Sequence, residues 1–350
     1  MDVFESLEGM YVEVVSTEDE ETDIVISEYF NFDRYGEVVV CNAVDRIFQF
    51  TETNEPSIEG YDAHMEEKER SCVAIDDNSN ENNPTLNLFG GISEYTVTKD
   101  FTFRGGDKIT TLKGPLFYSF GKWRVQPMNS NELTFAQSER PLSPPEMETG
   151  DLKVVFANVY NYFTTFSERG ADNEAEFARQ QAKTSLAFAL LDADIFAVAE
   201  VENDCVSTTD LAQQLNNHPS RESGRYYLKV VTANDCKVGE DAIKVAMLYD
   251  ANKYFVRGYS LLTDEYVSVD YLDQSPSGKI FNGLSRVPLA VTFKDRSKGD
   301  EFTVVVTHFK SKGATDSTGL DQDKGDGSGA FAFTRKLSTM ALKTWLKSYP

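Results

Sequence analysis

Hydrophobic and polar positions fall into two regimes along this chain. Up to about residue 138 the apolar positions come in short alternating segments: Met10–Val15, Asp23–Phe30, Glu37–Val40, Lys108–Leu112 and Gly121–Val125. Period-two alternation marks half-buried strands. Turn-formers separate them, including Arg34-Tyr35-Gly36, Asp76-Asp77-Asn78-Ser79-Asn80 and Gly105-Gly106-Asp107. This predicts an all-β domain over residues 1–138, closed into a small barrel. The polar stretch Glu52–Asn83 reads as a long surface loop. Pro141, Pro144 and Pro145 mark a stiff linker over 139–150. From 151 to 350 strands alternate with helices. Glu174–Leu191 has helical periodicity, with Asp172 or Asn173 as N-cap and acids in the first turn. Thr209–Asn216 and Phe331–Lys347 read as further helices, and Tyr227–Val231, Ile243–Tyr249, Pro288–Phe293 and Phe302–Thr307 as strands.

Three apolar runs differ from the alternating ones. Val154–Ala157 runs into Asn158, Ile195–Ala199 into Glu200, and Val304–Thr307 into His308. Continuous runs of this kind read as strands buried on both faces. A polar group at such a strand's C-terminal end lies at the sheet rim, where α/β proteins build sites. Glu200, behind five apolar residues, calls for a partner, because an unpaired buried charge is costly. A divalent cation fits: Mg²⁺ uses one or two carboxylates with phosphate oxygens and water. Glu202, Asn203 and Asp204 add acceptors nearby. The Asn158 amide suits a phosphate oxygen or the orientation of a carboxylate. His308 suits proton transfer or donation to phosphate. Each has a plain structural alternative: a turn for Asn158, a salt bridge for Glu200, a hydrogen-bonded strand end for His308. Arg286 offers a bidentate fork for phosphate, Lys310 and Lys312 suit a polyanion, and Asp241 and Lys244 flank the next strand near the same rim.

Charge narrows the picture. Lys and Arg number 34 against 57 Asp and Glu, a net charge of −23. A nucleic-acid enzyme with this balance needs a local basic strip or metal ions at its site. Cys41, Cys72, Cys205 and Cys236 fall into two pairs, each bracketing about 31 residues, a loop over which a disulfide contributes roughly 3 kcal/mol. We expect Cys41–Cys72 and Cys205–Cys236, and so an oxidising compartment; the alternative is four free buried thiols. Nothing resembles a zinc motif, and no run of about 18 apolar residues spans a membrane. Asp321, Asp323 and Asp326 have a spacing open to Ca²⁺, although the closing Glu of an EF-hand is absent. Tyr29, Phe30, Phe32, Tyr35, Phe117, Tyr118, Phe120 and Trp123 are core or a stacking platform for single strands.

Five segments in order carry a resemblance: Phe156–Phe163 (FANVYNYF), Ala199–Asp204 (AEVEND), Asp241–Tyr249 (DAIKVAMLY), Arg286–Ala290 (RVPLA) and Thr307–Gly313 (THFKSKG). Together they resemble the large secreted bacterial nucleases of the ExeM/NucH type, in the DNase I-like endonuclease/exonuclease/phosphatase superfamily. Leu7–Met10, Arg34–Gly36 and Gly114–Pro127 resemble the OB-like module that precedes the catalytic domain there. The resemblance implies a two-domain α+β protein, an OB-like β-barrel followed by a DNase I-like four-layer α/β sandwich. It implies hydrolysis of phosphodiester bonds in nucleic acid, DNA rather than RNA, with Mg²⁺ or Mn²⁺. Glu200 would ligate the metal, Asn158 contact phosphate or hold the site, Arg286 stabilise phosphate charge and His308 act as acid/base or phosphate ligand. The family's D-x-N motif, further Asp and terminal Asp-His pair have no counterpart in the 42 residues after His308. The expectation is therefore an N-terminal portion of a larger enzyme, with little activity by itself and the remaining C-terminal portion as its partner. Secretion to the extracellular space or periplasm is expected, although Asp2-Val3-Phe4-Glu5 is no signal peptide. Two other functions fit the residues: a non-catalytic module binding nucleic acid or polysaccharide, and a phosphodiesterase acting on phospholipid or small phosphate esters.

Overall fold

The alternating segments of the first half do form strands, and they converge on one long strand. The structure, a computed structural model, describes residues 2–16, 22–84, 88–98, 101–137, 141, 143–146, 150–166, 168–221, 224–233, 236–281, 283–313 and 316–348. Residues 139, 140, 142 and 147–149 of the expected linker lie outside the described residues. Two units are distinguished: Met1–Arg140 with Lys324–Ser328, and Pro141–Asp323 with Gly329–Pro350.

The first unit carries α1 (Asp2–Leu7), β1 (Tyr11–Glu13), β2 (Asp23–Glu28), α2 (Phe32–Tyr35), β3 (Val38–Ala43), α3 (Phe50–Thr53), α4 (Ile58–Ser71), β4 (Cys72–Ile75), β5 (Lys108–Ser119), β6 (Lys122–Val125) and β7 (Leu133–Ala136). Strand β5 pairs with β1, β2, β6 and β7. Such sharing requires close backbone approach at Gly114, where a Cβ would lie 2.3 Å from the Gln126 carbonyl oxygen. From β5 the pairings run through β2, β3, β4 and β6 and return to β5, with only β4–β6 parallel in this circuit. Ile26, Val38, Ile75, Leu112 and Val125 are buried in its core. Of the aromatic residues considered for stacking, Phe32 and Trp123 are buried, whereas Phe30 and Phe120 stand exposed.

The stretch read as a surface loop is in fact α4 followed by β4. The helix was illegible because it buries no residue, so it lacks an apolar stripe. Polar and edge contacts hold it instead: Lys68 lies 3.0 Å from Glu28, and Tyr61 and His64 lie against the Phe50 ring. Ser57 Oγ accepts from the Gly60 N–H at 3.1 Å, and Cys72, just past the last turn, is disulfide-bonded to Cys41.

A buried ion network lies beside β6. Arg124 meets Glu37 at 2.6 Å and Asp76 at 2.8 Å, while Lys122 reaches Glu37 at 2.6 Å. Burial alone would raise the Glu37 carboxyl, but hydrogen bonds from Lys122 and Asn31 and the Lys122 and Arg124 charges outweigh it and hold it below the ordinary range. Glu37→Gln removes one member and leaves Arg124 under-compensated. We expect a loss of about 3 kcal/mol, visible as a lower urea midpoint; an unchanged midpoint would mean the network adds nothing.

The second unit carries β8 (Val154–Tyr162), α5 (Glu174–Leu191), β9 (Ile195–Glu202), α6 (Val206–Asn217), β10 (Tyr227–Lys229), β11 (Ile243–Asp250), β12 (Tyr254–Leu261), α7 (Val269–Gln274), β13 (Leu289–Asp295), β14 (Glu301–Val306) and α8 (Ala332–Ser348). Helix α5 has the predicted bounds. Asn173 is its N-cap, accepting from the Glu176 N–H while its own amide donates to the Glu176 carboxylate, a reciprocal cap. One sheet has the order β10-β11-β9-β8, with β8–β9 parallel, and the other the order β12-β13-β14. Val245, Met247 and Ala197 of the first sheet pack against Val291 and Phe293 of the second. Phe188 and Leu211 from α5 and α6 cover the first sheet's other face, and Leu337, Ala341 and Trp345 from α8 cover the second's. The layers are thus helix, sheet, sheet, helix.

One sequence expectation needs correction. Of the three runs read as buried on both faces, only Ile195–Ala199 is. It lies in β9, between two neighbours. Strands β8 and β14 end their sheets in the described residues, and their exposed and covered positions alternate. Both expected disulfides are present, Cys41–Cys72 and Cys205–Cys236.

Candidate active site

Glu200 is the point where the sheet stops being regular. Against β11, Val245 pairs with Ala199 and Lys244 with Val201, so nothing opposes Glu200. Against β8, Asn158 pairs with Ala199 and Tyr162 with Val201, leaving residues 159–161 opposite it. Glu200 therefore lies at a bulge on both sides, and its φ is +64°. A side chain in this left-handed region costs about 1–3 kcal/mol and persists where the surroundings impose it, most often at functional sites. Bulges re-aim side chains in the same way.

The re-aimed carboxylate meets the residues picked from the other two strands. Asn158 Nδ2 donates to Glu200 Oε1 at 2.8 Å, and the Asn161 N–H donates to Oε2 at 3.2 Å. Asn158 Oδ1 accepts from the Tyr160 N–H at 2.8 Å. His308, two residues past β14, places Nε2 3.6 Å from Glu200 Oε1. Arg286 is tied to it, its backbone N–H donating to the His308 carbonyl at 2.9 Å. The Arg286 guanidinium lies 3.3 Å from Asp241, which also meets Arg169 at 3.5 Å. Burial, then the Arg286 charge, pull the His308 imidazole below its ordinary value, against the opposing pull of Glu200 and Asp241. Two buried nitrogens, Arg286 Nε and His308 Nδ1, have no hydrogen-bond partner among the described residues. An orphaned guanidinium N–H is a ready seat for an acceptor oxygen.

Asn158, Glu200, Arg286, His308 and Asp241 thus belong to one group. Lys244 does not join it. Its side chain is buried, and its ammonium donates to the carbonyls of Asp204 and Cys236 at 2.6 and 2.7 Å. Burial, assisted by Lys229 and opposed by Asp204, pushes it down to about 8. Lys310 lies over the Phe331 ring at 4.7 Å, and Lys312 is exposed.

The acceptors after Glu200 are committed elsewhere. Glu202 accepts from Thr164, Thr165 and Ser207, and Asp204 from the Ser207 N–H in the first turn of α6. The Asn203 amide donates to the carbonyls of Val238, Gly239 and Asp241, fixing the loop that carries Asp241. Asn161 and Arg169 were not singled out from sequence, and Asn203 was considered there only as an acceptor beside Glu200. All three act through backbone groups or a loop ion pair, which leave no periodic signal.

A divalent ion fits the donor set in one form only. Among the described residues no three His, Cys, Asp or Glu side chains are gathered around a metal position. Each Glu200 oxygen accepts one hydrogen bond and keeps a further lone pair, which suits a Mg²⁺-type ion held by one carboxylate and otherwise by water and phosphate oxygens. In the loop considered for Ca²⁺, Asp321 is committed to Thr334 at the start of α8, and Asp326 to Ser328. Asp323 is exposed.

Comparison with known proteins gives three findings. A family model described as a domain of unknown function, DUF8508, matches residues 1–138. No protein with a curated description matches. Among solved structures, the chain is similar to an endonuclease/exonuclease/phosphatase from Bacteroides vulgatus (16% identity, 57% of this chain and 61% of that one, TM-score 0.35). It is also similar to the human Nocturnin catalytic domain with bound sulfate (14% identity, 56% and 58%, TM-score 0.36) and to an endonuclease/exonuclease/phosphatase family protein from Bacteroides thetaiotaomicron (17% identity, 56% and 57%, TM-score 0.33). The chain spans about three fifths of the length of these structures.

Proposed function

We propose that the protein is a metal-dependent phosphodiesterase of the DNase I-like superfamily, of the ExeM/NucH type, hydrolysing nucleic acid, DNA before RNA, outside the cytoplasm. One observation carries the reading. At the doubly bulged Glu200, an amide, a carboxylate and an imidazole from three strands converge beside an arginine whose Nε–H lacks an acceptor. A phosphodiester would supply acceptor oxygens to the guanidinium, whose side chain remains 16% exposed.

Glu200 would hold Mg²⁺ or Mn²⁺, which supplies an activated water and neutralises charge on the pentacovalent phosphorus. Asn158 and the Asn161 N–H fix the carboxylate. Arg286 donates to a non-bridging oxygen, and Asp241 orients Arg286. His308, neutral at pH 7 because burial depresses it, accepts a proton or donates through one nitrogen to the phosphate. Two disulfides fit an extracellular or periplasmic setting. We read the first unit as an OB-like module that holds the nucleic acid, on the closed circuit of pairings through β5.

The test uses the purified protein with bis(p-nitrophenyl) phosphate and with single- and double-stranded DNA and RNA, with Mg²⁺, with Mn²⁺ and after chelation. We expect hydrolysis, slow from this chain by itself, that EDTA abolishes and added metal restores. Turnover that persists in EDTA would overturn the assignment.

A further inference from the structure

We propose that Tyr160 stacks on a nucleobase beside the scissile phosphate, with Arg179 and Lys183 of α5 holding a neighbouring phosphate. The inference rests on the hydrolytic reading of the site and names what that site recognises.

The ring of Tyr160 is 80% exposed, so it contributes little to the core. Its backbone is nevertheless in the left-handed region, φ +57°, followed by Asn161 at +52°. A bulky side chain in this conformation is a real outlier. The strain is imposed by the site itself. The Tyr160 N–H donates to Asn158 Oδ1, the next N–H donates to Glu200, and Gln180 Nε2 donates to the Tyr160 carbonyl at 2.8 Å. The backbone that presents the ring is thus fixed, one hydrogen bond from the catalytic amide.

An open groove of about 560 Å³ runs from Asn158 and Tyr160 along α5, past Arg179 and Lys183. These two cations lie one turn apart and are exposed, and the Arg179 charge also acts on the nearby Glu176 carboxylate. Glu176 also lines the groove, but its carboxylate accepts from the Asp172 N–H and the Asn173 amide at the start of α5. On a chain of net charge −23, a local pair of cations is what would hold a polyanion in place. A phospholipid headgroup carries no base to occupy the ring, and a mononucleotide no second phosphate along the groove, whereas single-stranded nucleic acid presents π-faces and phosphates in alternation.

The test is fluorescence anisotropy of a short single-stranded oligonucleotide in EDTA, so that binding is read without cleavage. We expect Tyr160→Ala to weaken binding roughly 5- to 150-fold, the range one stacked base supplies, with Tyr160→Phe restoring it. Tyr160→Gly, which relieves the strain and removes the ring, should bind as poorly as Tyr160→Ala without a fall in thermal midpoint. Arg179→Gln should lower the slope of log affinity against log salt by about 0.7. An abasic oligonucleotide should bind wild type no better than the intact one binds Tyr160→Ala. No wild-type binding, equal binding by Tyr160→Ala, or a Phe variant as weak as the Ala variant would overturn the inference. Parallel wild-type assays with bis(p-nitrophenyl) phosphate separate the two claims. Tyr160-dependent binding without hydrolysis retains the stacking site and sinks the hydrolytic reading; hydrolysis with Tyr160-independent binding does the reverse.

Discussion

Replacing Glu200 with glutamine is expected to slow phosphodiester hydrolysis roughly 10³-fold, the scale on which removing one electrostatic group at a reacting centre is felt. The change keeps the shape and removes the charge that the proposed ion needs. It also sets an amide N–H₂ against the Asn158 Nδ2 donor now seated on Oε1 at 2.8 Å, so a donor faces a donor. Mn²⁺ affinity, measured by calorimetry on the same protein, should fall together with the rate. Stability should not follow. Glu200 is strained at φ +64°, and Glu200→Gly, free of that strain, should unfold no earlier than wild type while being as slow as the glutamine variant. Loss of activity with unchanged or improved stability is the signature of a residue kept for chemistry. A Glu200→Gln protein that retains both its rate and its Mn²⁺ affinity would remove the carboxylate from the site.

The same residue shows what the sequence made legible. Asn158, Glu200 and His308 stood out because each breaks an apolar run at its end, a signal that depends only on strand periodicity. That they meet at 2.8 and 3.6 Å depends on a bulge on each side of Glu200, and register is not written in periodicity. Lys244 shows the opposite error. It interrupts the run Ile243–Leu248 and was read as a rim residue, whereas β11 is covered on both faces and carries the ammonium inward to two carbonyls. Helix α4 left no signal because a helix with no buried side chain has no stripe to read. In contrast α5, with Asn173 and Glu176 in reciprocal contact at its start and an apolar face on the first sheet, was readable to its ends. Local rules therefore placed the elements that pack and the polar residues that end apolar runs, and missed the register that brings those residues together.

His308→Asn is expected to cost roughly 10²–10⁴-fold in kcat/KM, the usual range for a positioned proton-transfer group, and the pH dependence tells whether it acts as one. Burial and the Arg286 charge both disfavour the imidazolium, so His308 titrates below its ordinary 6.5. If the neutral ring is the active form, kcat/KM stays level through neutrality and falls only as pH drops below that value. Arg286→Gln removes a positive neighbour, so the imidazole rises and the acid limb should move to higher pH, in addition to any loss of rate from the missing phosphate contact. Asp241→Asn removes a negative neighbour that favours the imidazolium, so on this term alone the limb moves to lower pH. Opposite displacements from two residues 3.3 Å apart cannot come from a general loosening of the loop, which would shift both the same way. A profile in which neither substitution moves the limb would assign it to some other group and leave His308 as a phosphate ligand with no part in proton transfer.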